Sequence, residues 1–133
     1  MPALRHRQLC VMEIELIGTS IIGFSQGGNT AETFTAFDPT SGKAVTPVFY
    51  SATSGELEKA AKLADEARLP YGAVAPVKRA AFLRSIADNI EALGDTLIMR
   101  ASLETALPNA RFEGERARTC FQLRMFADLL EEG

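Results

Sequence analysis

Hydrophobic and polar positions follow two different rhythms along this chain. The first third is β-like: Ile14-Glu-Leu-Ile-Gly-Thr-Ser-Ile-Ile-Gly-Phe-Ser25 is rich in β-branched residues, and Gly18 and Gly23 punctuate it as turn or bulge positions, so a hairpin is expected. Gln26-Gly-Gly-Asn-Thr30 reads as a flexible loop. Thr33-Phe-Thr-Ala-Phe37 then leads into the turn Asp38-Pro-Thr-Ser-Gly42, where Asp38 can bond the backbone that follows it, Pro39 presets φ and Gly42 can go left-handed. Lys43 to Tyr50 is extended again, with Pro47 marking an edge strand.

From Thr53 onward the spacing turns helical. Thr53-Ser-Gly-Glu56 fits a capping box, and Leu57, Ala60, Ala61, Ala64 and Ala67 follow until Pro70, where the run is expected to stop. A second helix opens at Pro76 with Ala80, Leu83, Ile86, Ala87, Ile90 and Leu93 on one face, and Gly94 ends it. Asp95 is placed to cap a third helix containing Leu97, Ile98, Ala101 and Leu103, closed by Pro108. A fourth runs from about Asn109 to Glu132. On it, Phe112, Thr119, Cys120, Leu123, Phe126, Ala127 and Leu130 share one broad face, while Glu113, Arg124, Asp128 and Glu131 form a narrow charged strip. Gly114, Phe121, Met125 and Leu129 lie roughly opposite, with Arg118 and Gln122 among them. A helix apolar on two sides expects two covering layers, and three helices of modest apolar content supply one.

Composition narrows the chemistry. With 47% hydrophobic and 23% charged residues the balance is that of a globular chain, and no stretch has the length of a membrane span or a signal core. The net charge of −3 is spread along the sequence, which excludes the clustered basic face that nucleic acid needs. Two cysteines and one histidine, Cys10, Cys120 and His6, lie too far apart for a zinc quartet or a disulfide framework; no metal is expected, and a reducing cytoplasmic setting is the default. Residues 1–11 read as a disordered arm with Met12 as the natural start. No nucleophile stands beside a base, and Gly27-Gly28 is not followed by a helix as a dinucleotide cradle requires, so no catalytic and no cofactor-binding residue is assigned. Cys120 is expected to be a small buried hydrophobe, and Glu113 with Glu115, like Glu131-Glu132, a solvated helix surface rather than an acid and base.

The order of the pieces resembles a family. Phe37-Asp-Pro-Thr-Ser-Gly-Lys43 is similar to the Asn-Pro-Ala-Thr-Gly-Glu turn near the start of aldehyde dehydrogenases, and Ser51 to Ala60 to their capped first helix. Arg79-Ala-Ala-Phe-Leu-Arg-Ser-Ile-Ala87 resembles their Arg-x-x-x-Leu-x-x-Ile-Ala helix, and Glu104-Thr-Ala-Leu-Pro108 their Glu-Thr-Gly-x-Pro, with alanine in place of glycine. Within the family, Leu107 to Arg124 most resembles the α-ketoglutaric semialdehyde (2,5-dioxopentanoate) dehydrogenase branch, whose Gly-Glu-Arg-x-Arg-Thr-Cys-x-Gln-Leu-Arg run stands here as Gly114 to Arg124.

The resemblance implies an incomplete α/β fold: antiparallel strands or hairpins over residues 12–50 and four helices over 53–132, together the N-terminal part of an aldehyde dehydrogenase cofactor-domain fold. The parent enzyme it implies is a homo-oligomer using NAD(P) and an aldehyde. In it a cysteine thiolate attacks the aldehyde, hydride passes to NAD(P), and a glutamate-activated water releases the acid, while an asparagine and a backbone N–H hold the oxyanion. Those groups belong to family positions beyond residue 133, so the segment's partner is the remainder of the dehydrogenase chain, and the segment alone is expected to be inactive and to bind no cofactor. Its own contribution to the site would be a wall of the substrate tunnel, carried by Gly114, Arg118 and Gln122; the alternative for Arg118 is a pair with Glu115 one turn earlier, or a stem laid along apolar neighbours toward water. The competing expectation is a stand-alone helical module that docks a partner on the second apolar face of the last helix.

Overall fold

The computed structural model describes residues 16–133. The arm expected over residues 1–11, with His6 and Cys10, and the opening of the first expected hairpin at Ile14 lie outside the described residues. Two small antiparallel hairpins are followed by four helices: β1 (Ile21–Ile22), β2 (Ser25–Gln26), β3 (Thr33–Asp38), β4 (Lys43–Tyr50), α1 (Ser54–Gly72), α2 (Pro76–Ala92), α3 (Gly94–Thr105) and α4 (Asn109–Glu132).

The first hairpin is shorter than its sequence suggests. It pairs Ile21 with Gln26 and Ile22 with Ser25 around a two-residue turn in which Gly23 takes φ +61°, a conformation open to glycine at little cost. Residues 16–20 are not a strand, but they run close beside β4. Tyr50 N–H donates to the Gly18 carbonyl at 2.9 Å, and a Cβ on Gly18 would come within 1.9 Å of the Val48 oxygen. In the second hairpin the Asp38 carboxylate accepts from the Thr40 N–H and the Ser41 hydroxyl, as expected of that turn. The register jumps between Thr35, opposite Val48, and Ala36, opposite Val45, so Thr46 and Pro47 bulge out of the ladder where proline has no N–H to give. Phe34 and Phe49 stack across the strands with ring centroids 5.4 Å apart.

Helix α1 starts as its sequence dictates. Glu56 N–H donates to the Thr53 hydroxyl at 3.2 Å and Thr53 N–H to the Glu56 carboxylate at 2.8 Å, a complete capping box. The other Glu56 oxygen accepts from Gly28 N–H at 2.8 Å, tying the glycine loop to the helix start. Pro70 does not stop α1 at once. The helix continues to Gly72, because proline removes one N–H and the remaining donors still find partners, with Ala73 N–H bonding to the Leu69 carbonyl. Nor does Asp95 cap α3: it sits in the first turn, Leu93 is the cap position, and Gly94 at φ +56° makes the bend from α2. At the other end of α3, Ala106 itself is left-handed, at φ 58° and ψ 16°.

The core is an antiparallel pair of helices, α2 and α4, with a lesser contact from α3. Ala80 and Ala87 of α2 and Cys120 and Ala127 of α4 are at most 1% exposed, so small residues let the two backbones approach. The sequence holds a reason for this pairing that apolar spacing does not reveal. Leu83-Arg84-x-x-Ala87-Asp88-x-x-Glu91 on α2 recurs as Leu123-Arg124-x-x-Ala127-Asp128-x-x-Glu131 on α4. Run antiparallel, the two copies complement one another. Arg84 donates to Asp128 at 2.6 Å and to both Glu131 oxygens at 2.8 Å, and Arg124 donates to Asp88 at 2.7 Å and to Glu91 at 2.7 and 2.8 Å. Arg124, Asp128 and Glu131, expected as a charged strip, are therefore the border of the helix interface. Arg116 adds a bond to the Gly94 carbonyl at 2.9 Å, fastening α4 to the α2–α3 bend.

Candidate functional site

Helix α4 brings Gly114, Arg118 and Gln122 to one side, and that side faces away from α2. All three are exposed, and a Cβ on Gly114 would meet nothing within 4 Å. Phe121, Met125 and Leu129 continue the same exposed face at 67, 38 and 52% accessibility, and they border an open groove with Arg124, Asp128 and Glu132. The face expected to need a second covering layer is bare.

Arg118 does not bond to Gln122. Its Nε donates to Glu115 Oε2 at 3.2 Å, one turn back, and Glu115 Oε1 forms an ion pair with Arg111 Nη2 at 2.9 Å. Glu115, expected merely to be solvated, thus sits between two arginines on consecutive turns. Glu131, expected likewise, is paired with Arg84, whose guanidinium lowers its carboxyl below the ordinary value of 4.5. The Arg118–Glu115 pair is the alternative that helical charge spacing offers to a tunnel role; the Arg111–Glu115 and Arg84–Glu131 pairs were not expected, although the i, i+4 spacing of Arg111 and Glu115 signals the first.

Cys120 is buried, as expected, with Sγ directed at the Ala87 carbonyl 3.6 Å away. The paired glycines do not form a phosphate turn. Gly27 and Gly28, the paired glycines, give their N–H groups to the Ser20 carbonyl at 2.7 Å and to Glu56, and a loop and β3 follow them rather than a helix. Among the described residues no cluster of three or more histidine, cysteine, aspartate or glutamate side chains could hold a metal, and no helix is long and apolar enough to cross a membrane.

Two short hairpins leading into a capped helix, an α2–α4 pair, and a last helix bare on one face follow the order of pieces read in the sequence. The aldehyde dehydrogenase family model matches residues 26–132, and the chain belongs to that family. It is 46% identical over 121 residues to alpha-ketoglutaric semialdehyde dehydrogenase 2 of Azospirillum brasilense, a match covering 90% of this chain and 23% of that protein. It is also 44% identical over 86 residues to the alpha-ketoglutaric semialdehyde dehydrogenase of Acinetobacter baylyi, covering 65% of this chain and 16% of that one. The chain thus spans less than a quarter of the length of these relatives.

Proposed function

We propose that this chain forms the N-terminal part, residues 12–133, of an NAD(P)-dependent dehydrogenase that oxidises α-ketoglutaric semialdehyde to 2-oxoglutarate in the cytoplasm. The observation that carries this reading is the 46% identity over nearly the whole chain to a dehydrogenase named for that aldehyde. The bare face of α4 supports it, because a segment that completes a larger domain leaves such a face for the rest of the chain to cover. The stand-alone module needs the same face but has no observation of its own.

In this reading the segment holds neither nucleophile nor cofactor cradle, and its part in the chemistry is recognition. A semialdehyde that carries a carboxylate needs a cation in an otherwise apolar tunnel, and Arg118 lies beside Phe121 and Met125 on the face available to line one. An arginine fork meets a carboxylate through two parallel hydrogen bonds, and Gln122, one turn on, could donate a third.

Two experiments test this. The chain is expressed alone and again joined to, or co-expressed with, the remainder of the Azospirillum brasilense relative; semialdehyde-dependent reduction of NAD(P) is expected only from the assembled enzyme. An assembled enzyme that folds and oxidises other aldehydes but not this one would overturn the substrate assignment. In the assembled enzyme, Arg118→Met should weaken use of the semialdehyde by ~2 to 5 kcal/mol of transition-state binding, the scale of a lost charge partner, and an uncharged aldehyde of similar length far less. Equal losses for both would reduce Arg118 to a support of the fold.

A further inference from the structure

We propose that Glu115 is a positioning residue that aims Arg118, an inference that rests on the tunnel role proposed for Arg118 above. Arg111, Glu115 and Arg118 stand at i, i+4 and i+7 on α4, so their side chains are neighbours along one edge of the helix. Each Glu115 oxygen is taken by a different arginine: Oε1 by Arg111 Nη2 at 2.9 Å and Oε2 by Arg118 Nε at 3.2 Å. A guanidinium has five N–H groups and more than one edge that can grip a carboxylate. Glu115 takes Arg118 by Nε alone, and among the described residues no hydrogen bond is made by the Nη1–Nη2 end. That end remains free for a second carboxylate, while the Nε edge is already engaged. The three side chains sum to one positive charge, so an anion meets net attraction even with Glu115 in place. Arg111 pairs with the other oxygen, so Glu115 has a cation on each side along the helix.

A rival account makes Glu115 a competitor, an internal anion that the substrate must displace from Arg118. The two accounts predict opposite signs. If Glu115 positions Arg118, then Glu115→Leu in the assembled enzyme frees the arginine side chain. KM for the carboxylate-bearing semialdehyde should rise about 3- to 10-fold, the scale of ordering one long side chain on binding, with kcat unchanged. Glu115→Gln, whose amide oxygen still accepts from Nε, should restore KM to within about twofold. An uncharged aldehyde should respond to neither variant. Arg111→Met, which unties Glu115 without touching Arg118, should raise KM in the same direction by less, and it provides the test where Glu115→Leu fails to fold. A fall or no change in KM for Glu115→Leu, while Arg118→Met still discriminates between the two aldehydes, would overturn the positioning role alone. Equal changes for both aldehydes in Glu115→Leu would overturn it in favour of a structural ion pair, and equal losses in Arg118→Met would remove the tunnel assignment beneath it.

Discussion

Single residues carry more of this structure than their composition suggests, and Ala106 is the plainest case. It follows α3 in the left-handed region, φ 58° and ψ 16°, where a Cβ crowds the neighbouring carbonyl and glycine does not. The sequence places alanine here, where the family pattern Glu-Thr-Gly-x-Pro has glycine. The departure is legible in the sequence, but its cost is not, because nothing in the residue order states the sign of φ. Ala106→Gly is expected to stabilise the chain by about 0.5–1 kcal/mol, since relief of the strain outweighs the extra freedom of glycine in the unfolded chain. Thermal unfolding of the two forms checks it, and a lower midpoint for the glycine form would mean that residue 106 is not held left-handed. Other single-residue readings rest on chemistry with one geometry. The Thr53–Glu56 capping box and the Asp38 turn formed as expected because a side-chain oxygen two or three residues from a free N–H has few other places to go. Asp95 and Pro70 were harder to place because helix ends slip by a residue or two at little cost.

At the level of elements, the order of strands and helices and the buried centre of the α2–α4 pair were legible from spacing, although Thr119 and Phe126, expected on the same inner face of α4, are exposed; the way the helices grip each other was not legible. Apolar periodicity tells which face a helix buries but not which helix it meets. The repeated Leu-Arg-x-x-Ala-Asp-x-x-Glu run carries that information as charge, and it becomes readable only when the two copies are laid antiparallel. Arg84→Glu should therefore lower the melting temperature by setting a carboxylate against Asp128 and Glu131, and adding Asp128→Arg should recover part of the loss. A double variant no more stable than the single one would mean that the pairs only decorate the interface. The same pairs give the chain an acid limb. Arg84 holds Glu131, and Arg124 holds Glu91, below the ordinary 4.5. Glu56 is lowered by the Thr53 and then the Gly28 backbone N–H, and Asp38, below 3.8, by the Ser41 hydroxyl and then the Thr40 N–H. A carboxyl depressed on folding contributes stability that is complete above its unfolded value and is lost as pH falls through its folded value. Melting temperature should stay level from pH 7 to about 5 and decline below that. Replacing both Arg84 and Arg124 with methionine should make the decline shallower; an unchanged slope would place the acid sensitivity elsewhere.

The molecule as a whole has more apolar surface than its own core can take. Among the described residues the buried hydrophobic side chains are Ile22, Ala80, Ala87, Ile98, Cys120 and Ala127, most of them small, while Phe24 is fully exposed and Ile21, Leu57, Leu69 and Phe121 are each more than 65% exposed. These residues are not scattered. Ile21 and Phe24 stand on the first hairpin, Leu57 and Leu69 on α1, which buries no residue at all, and Phe121, Met125 and Leu129 on the outer side of α4. The sequence foretold the bare side of α4, because that helix is apolar on two sides; it did not foretell the bareness of α1, whose alanine spacing looked like an ordinary core stripe. Exposed apolar side chains on three elements favour association in water, and each large one left outside forgoes roughly 1.5–3 kcal/mol of burial. Purified as 133 residues, the chain is expected to melt broadly, bind a hydrophobic dye, self-associate as its concentration rises, and reduce neither NAD nor NADP with any aldehyde. Joined to the remainder of a dehydrogenase, the same residues should lose the dye signal, because the surface that binds it is then covered. Light scattering and dye fluorescence across a concentration series check both halves. A monodisperse monomer with a sharp cooperative melt and no dye binding would show that these faces are stable in water as they stand, and would turn the assignment toward a module complete at this length.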